Sequence, residues 1–530
     1  MTIDAALMRW RLLLSRITGF FSADTKLHNA RFAHLHELKN LLSDKLNEKP
    51  SLLLGISRFN QVLRVTSTEK RRELGNVLIT APTRGGKSIA LETQLRVWPH
   101  SVIVNDPKGE LFTKTAGYRL DNEIYVFDPT GKGHRHDPLL GKTTEDDLYA
   151  VAKTLLHEPT EKDPVFTQKA TKMLTLLFLA ARIRGYSPFP FVSDVSKYGI
   201  NTLAKTISNI DAEIAKRLLD GEYNPNKDYS EHKFLVDSWE SLTARLYPFL
   251  TETVIRSLAG SDFSISDLLL SEKPVTIYLR WPESKLLALQ PLIKLIWGNF
   301  IEELTAVYDN TNNKEICRPV LLLVDEAGIC PIPELQKHVA TVNGRGISFM
   351  IAIQALSQLD AIYGKYHAST IRNNMESQIY YRQADLETAQ YLKERLGDKS
   401  GFAHSNTTHE GQETSAGESE REIPLMSAQE IMQMSDEEII GFHRGLRPFR
   451  AKRMDWRRFP LLEHRQHVPP PPLPILPPLD EHPPDQAGGS TNPESSWRLA
   501  PDLLRWGSQP AAANGLRKNI SHDGEDGLRP

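Results

Sequence analysis

Cysteine is nearly absent: Cys317 and Cys330 are the only two in 530 residues. They flank one apolar run and have no partners at ligand spacing, which excludes a disulfide framework and a thiolate metal cage and points to a reducing, cytoplasmic setting. Charge of one sign is also missing. A formal net charge of −2 rules out blanket neutralisation of nucleic-acid phosphates, so any such contact must be local. Long hydrophobic runs are lacking too. The longest early one, residues 12–21, is interrupted by Ser15, Arg16 and Thr18 and falls short of the roughly 20 residues that cross a bilayer, so no transmembrane helix is expected. Within residues 10–21, Trp10, Leu13, Leu14, Ile17, Phe20 and Phe21 recur at helical spacing beside Arg9, Arg11 and Arg16. That pattern fits a helix lying on an anionic membrane face, as peripheral contact, or one packed on the protein itself.

What remains is the composition of a globular protein, 40% hydrophobic and 25% charged, in a chain long enough for two or three domains plus tails. A short apolar run at 76–80 passes through a glycine-rich turn into a helical pattern at 89–97, which reads as strand, loop and helix. Further apolar runs end at Asn105-Asp106-Pro107-Lys108-Gly109 and at Asp128-Pro129. Repeated units of this kind predict an α/β fold with a mostly parallel sheet. From 139 to 260 the periodicity is helical throughout, predicting an inserted all-α domain, before strand signals resume at 275–279, 320–324, 348–353 and 378–381. Residues 401–421 carry no apolar period and are expected to form an exposed loop. Beyond residue 460 proline is so dense that a disordered or polyproline-like tail is expected over 460–530. The organisation expected is therefore an N-terminal segment at 1–60, a nucleotide-binding domain from 61–138 and 261–459, the helical insertion, and the tail.

The chemistry is concentrated in a few places. Ala81-Pro82-Thr83-Arg84-Gly85-Gly86-Lys87-Ser88 matches the phosphate-binding loop with alanine in place of its first glycine. Backbone N–H groups and the positive helix end would wrap a polyphosphate, Lys87 would reach its outer phosphates, and the Ser88 hydroxyl would ligate Mg²⁺. Val320-Leu321-Leu322-Leu323-Val324 leads into Asp325-Glu326, two carboxylates that repel one another unless a cation or a reaction employs them. In P-loop ATPases the first acid holds the metal and the second polarises the attacking water; Asp325 and Glu326 take these parts. Gln354 closes the next apolar strand and is expected to face the γ-phosphate if that strand lies between the loop strand and the acid strand. Arg345 precedes the same strand and is a candidate for a neighbouring subunit's nucleotide. Asp106 and Lys108 rank lower as cleft or channel residues. His134 and His136 lack matching ligands and are expected to be solvated, and the basic run from Arg444 to Arg458 is expected to be a solvated face.

Taken together, residues 81–88, the Asp106–Glu110 stretch followed by Ala116-Gly117-Tyr118, Asp325-Glu326, and Gly346-Ile347 leading to Gln354 and Leu356-Ser357-Gln358-Leu359 make a chain that resembles the TraG/TraD (VirD-type) family of conjugative coupling proteins, RecA-like ATPases related to the FtsK translocases. The likeness runs from about residue 29 to 459. It implies a RecA-like P-loop NTPase core, ATP and Mg²⁺ as ligands, and a homohexameric ring with ATP between subunits. It further implies that single-stranded DNA, with its relaxase and relaxosome, is passed to components of a type IV secretion channel at the inner face of the plasma membrane. The alternative is a receptor for protein effectors with little DNA-dependent turnover. Two features depart from the family pattern: no N-terminal transmembrane helix is found, and Asn343 stands where many relatives have arginine.

Overall fold

Short runs of valine, isoleucine and leucine bounded by turn residues become strands buried on both faces. The computed structural model describes residues 29–43, 49–67, 73–156, 164–328, 331–407, 415–463 and 468–478; residues 10–21 and Cys330 lie outside these. In chain order the strands are β1 (Leu42–Ser43), β2 (Ser51–Ile56), β3 (Val62–Thr66), β4 (Val77–Thr80), β5 (Ser101–Asn105), β6 (Glu123–Phe127), β7 (Val275–Leu279), β8 (Val320–Val324), β9 (Ile347–Ile353), β10 (Ser377–Tyr380), β11 (Asp398–Thr407), β12 (Ser415–Pro424), β13 (Glu438–His443) and β14 (Phe449–Lys452). Twelve of them form one sheet in the order β1-β3-β2-β14-β13-β10-β4-β9-β8-β5-β7-β6. From β10 to β6 every pairing is parallel, and from β10 outward to β1 every pairing is antiparallel.

Side chains alternate along each strand, so the sheet feeds two separate cores. On β8, Val320, Leu322 and Val324 enter one core, which extends into the helical insertion. Leu321 and Leu323 enter the other, against Leu91 and Leu95 of the helix Lys87–Val97. Between β6 and β7 the described chain forms only helices, the longest being Pro164–Arg184. The helical pattern at 200–219 resolves into two helices, because Asp211 is extended and its carboxylate accepts from Ile214 N at the start of the second.

Three expectations change. The antiparallel extension was not foreseen, and the boundary drawn at residue 61 cuts the β2–β3 hairpin, whose register runs Ser51↔Thr66 to Ile56↔Val62. Residues 401–407 and 415–421 are not a loop: β11 and β12 pair over their full length from Asp398↔Pro424 to Thr407↔Ser415, a ladder that backbone hydrogen bonds build without an apolar period. Within the proline-dense stretch, residues 468–478 follow an extended course, one of the two forms expected of it. Residues 468–478 lie as a strap along the loop after β6, where Gly133 N donates to the Pro474 carbonyl at 2.7 Å and Leu476 N to the Gly131 carbonyl at 3.3 Å. Proline presets this extended path and has no N–H to satisfy, so little entropy is lost on docking. Leu476 supplies the buried anchor, and no helix among the described residues is long and apolar enough to cross a membrane.

The strap passes over Gly117, where an added Cβ would stand 2.1 Å from the Val468 carbonyl oxygen. Gly117→Ala should therefore lift the strap, lowering hydrogen-exchange protection of the Leu476 amide by roughly tenfold or more while the sheet amides stay protected. Unchanged protection at Leu476 would mean that the strap is seated elsewhere.

Candidate nucleotide site at the C-terminal rim of the sheet

Because β4, β9, β8 and β5 are parallel neighbours, the residues that follow them emerge side by side. Ala81 N donates to the Ile353 carbonyl at 3.0 Å and Gly85 N to the Pro82 carbonyl at 2.9 Å, closing the loop 81–86 on itself. Thr83 and Arg84 stand at its exposed crest. The helix Lys87–Val97 begins without a side-chain cap and with no acid in its first turn. Its leading N–H groups and positive end are left for an anion, and Ser88 lies in that turn.

The acids meet this loop directly. Strand alternation places Asp325 on the same face as Leu321 and Leu323, toward the helix that Lys87 opens. Glu326 would fall on the opposite face, but its φ of 54° turns it off the extended path. Lys87 Nζ consequently lies 3.1 Å from Asp325 Oδ1 and 3.7 Å from Glu326 Oε1, all three side chains being nearly buried. A carboxylate moved from water to such a place costs several kcal/mol unless a cation accompanies it. Burial raises the Asp325 pKa although Lys87 opposes it. Asn105 Nδ2 donates to the Asp325 carbonyl at 3.0 Å, and Asp325 N donates to Asn105 O at 3.3 Å, fixing the ends of β5 and β8 together.

Lys108 belongs to this site. Its ammonium is 3.1 Å from Glu326 Oε1 and 3.8 Å from Glu283, and the hydrogen bond to Glu326 raises its pKa. Asp106 is buried beneath it, with Oδ2 accepting from Phe112 N at 2.7 Å. Gln354 is where the sequence places it, since β9 separates β4 from β8: Thr83 Oγ1 donates to Gln354 Oε1 at 3.3 Å, and Gln354 N donates to Gln358 Oε1 at 2.9 Å. Glu326 Oε2 is buried with no hydrogen-bond partner among the described residues. Asp325 and the Ser88 hydroxyl are the oxygens that would hold a hydrated Mg²⁺, which leaves this Glu326 oxygen for a water.

Arg345 is not brought to this rim. It lies at the N-terminal end of β9, roughly 20 Å of strand away, where Asp309 binds it bidentately at 2.8 and 2.7 Å. It does not reach the loop of residues 81–88 in the same chain. Two arginines not expected at the rim approach it, Arg280 and, from the run read as a solvated face, Arg453. The Arg453 guanidinium lies against Gly86, and that of Arg280 against Gly109. Arg280 follows β7 directly, so its position at a parallel strand's end was a usable signal; Arg453 arrives from antiparallel β14 and had none. His136 is not solvated: it packs between Phe263 and Phe300 with ring centroids 5.1 and 4.9 Å away, and burial pushes it down to about 3. His134 Nδ1 accepts from Val126 N, and no metal-holding cluster occurs among the described residues. The basic run is largely neutralised within the chain, Arg444 by Glu376, Arg450 by Glu438, Arg453 by Glu437 and Arg457 by Asp455.

Burial raises Asp106 to about 6, with the Asp325 charge contributing in the same direction and the amide of Phe112 opposing. Between its unfolded value near 4 and this value, the folded protein holds a proton that the unfolded chain has released, so stability falls as pH rises through that window. Asp106→Asn, which keeps the acceptor for Phe112, should therefore stabilise the nucleotide-free protein by about 2 kcal/mol at pH well above 6. The gain should shrink on acidification toward pH 4. Urea unfolding across this range checks it, and a gain independent of pH would contradict the burial argument.

In fold, the chain resembles plasmid coupling protein TrwB in complex with ADP and Mg²⁺, with a TM-score of 0.57 and 17% identity over 82% of this chain and 96% of TrwB. Among curated sequences it is 26% identical over 397 residues to conjugal transfer protein TraG of Escherichia coli, covering 68% of this chain and 61% of TraG. It is 25% identical over 401 residues to protein VirD4 of Rhizobium radiobacter, covering 72% of this chain and 56% of VirD4. The chain thus spans less than two thirds of the length of these two relatives. The sequence pattern of the family described as "Type IV secretory system Conjugative DNA transfer" matches residues 41–470, and on that match, with the RecA-like P-loop architecture beneath it, the chain belongs to this family.

Proposed function

We propose that this protein is an ATP-hydrolysing coupling motor that delivers single-stranded DNA, with its bound relaxase, to a type IV secretion channel. It would act as a homohexamer that binds ATP between subunits. The observation that carries the reading is the approach of Lys87 to both Asp325 and Glu326, at 3.1 and 3.7 Å, beside the Thr83–Gln354 contact. Family membership and the ADP and Mg²⁺ named for TrwB support it.

The chain's own groups divide the work. Lys87 exchanges its carboxylate partners for the outer phosphate oxygens, which the N–H groups of 83–88 also receive. Mg²⁺, when held by the Ser88 hydroxyl and Asp325, supplies charge neutralisation to the phosphates. Glu326 Oε2 accepts a hydrogen bond from the attacking water and draws its proton as the oxygen approaches phosphorus. Gln354, tied to the loop through Thr83 and to its own helix through Gln358, registers whether the γ-phosphate is present. Arg345, once released from Asp309, serves the site of the next subunit.

Purified protein tested for ATP turnover with and without single-stranded DNA decides the matter. Glu326→Gln should still bind nucleotide, yet hydrolyse it at least 100-fold more slowly, the span a general base supplies. Lys87→Ala should lose nucleotide binding. Normal turnover in Glu326→Gln would refute the assignment. Turnover that DNA leaves unchanged would favour the receptor for protein effectors instead.

A further inference from the structure

The helix that leaves the catalytic rim after Gln354 is broken in its middle. Within Leu356–Asn373, Gly364 takes φ 75° and ψ 152°, a combination that side-chain-bearing residues avoid. A Cβ there would meet no neighbour within 4 Å, so the glycine is required by the turn of the backbone and not by crowding. Residues 364–367 are all exposed as a result. Tyr366 is 80% exposed. Its ring meets only His367, edge to face at 5.5 Å, among the aromatic contacts of the described residues. Lys365 has no ion-pair partner among the described residues.

The base of this projection is clasped on three sides. Asp360 and Arg372, on either side of the kink, pair at 2.8 Å with less than a quarter of either side chain exposed. The Tyr363 hydroxyl accepts from Ile332 N at 3.1 Å. Gln358 holds Gln354 N and lies against Gly328, two residues beyond Glu326. From Leu356, two residues after the one read as the γ-phosphate reporter, to the kink at Gly364 is roughly 12 Å of helix.

We propose that Lys365 and Tyr366 form a contact for a single strand of nucleic acid, a base stacking on the Tyr366 ring and a phosphate meeting the Lys365 ammonium. Stacking needs an exposed ring on a rigid base and tolerates any sequence, which suits a strand that moves past. Arg372 is spent on Asp360, so Lys365 supplies the free positive charge at the tip. This inference rests on the motor reading given above and assigns the place where cargo would touch the nucleotide-linked helix.

The test is fluorescence anisotropy of the full chain with a labelled oligothymidylate and with its duplex, beside the ratio of DNA-stimulated to DNA-free ATP turnover. Tyr366→Ala should weaken single-strand binding by about 5- to 100-fold, spare the duplex, and lower the stimulation ratio, whereas Tyr366→Phe, which keeps the ring face, should stay within about twofold of the parent. Lys365→Gln should reduce the slope of log affinity against log salt by about 0.7, the contribution of one single-strand phosphate. If the parent is stimulated by DNA and Tyr366→Ala binds it as well as the parent does, or if strand and duplex lose affinity equally, this inference is wrong while the motor reading stands. If the parent shows no response to single-stranded DNA at all, the motor reading fails and takes the inference with it.

Discussion

β9 lies between two strands that must agree with it at once. Its pairing with β4 ends at Thr80↔Ile353, and its pairing with β8 ends at Val324↔Ile351. These registers bring the loop at 81, the acids at 325 and 326 and the amide at 354 out of the sheet within reach of one another. Side-chain period on a strand is two, so a slip of β8 by one residue would send Asp325 toward the core that holds Leu322 and Val324. A carboxylate in that apolar layer without Lys87 costs several kcal/mol, comparable to much of a domain's net stability. The charges at the rim and the hydrophobic alternation beneath it therefore select the same register.

Within that frame, cations and carboxylates are shared and not paired off. Lys87 faces two acids, Glu326 faces two lysines, and Lys108 faces two glutamates. No contact in this group is optimal for either partner, and one oxygen of Glu326 is left without a hydrogen bond. Such a cluster is held together firmly enough to be buried, yet it loses little when a polyanion replaces carboxylate around the lysines. Burial raises both Asp106, to about 6, and Asp325, so the two aspartates that follow β5 and β8 hold their charge less readily than free ones.

Much of this was legible in the residues. The loop, the acid pair and Gln354 announce themselves because each follows an uninterrupted apolar strand, and parallel strands deliver such positions to one edge. The helical insertion was legible because 3.6-residue periodicity is a local property. What escaped depends on distant pairing. β2, β3, β13 and β14 are ordinary apolar runs whose antiparallel partners no local pattern names, and Arg453 reaches Gly86 only through them. The ribbon of β11 and β12 is built from backbone bonds with little hydrophobic signature. For the strap at 468–478 the sequence offered its extended form but not its seat: proline density speaks of the free chain, while docking is decided by glycines far away at 117, 131 and 133. His136 looked solvated because its aromatic neighbours, Phe263 and Phe300, come from elsewhere in the sequence.

The course of that strap has a mechanical meaning. Before it, Trp456 is hydrogen-bonded to Thr93 and Glu92 on the helix that Lys87 begins. Eleven residues of proline-rich backbone then end beside Gly131, next to Asp128, whose carbonyl is held by Ser257 at the far side of the insertion. A load carried by residues 468–478 would be met by the hydrogen bonds at Gly131 and Gly133, at the root of the helical insertion, and not at the loop of residues 81–88.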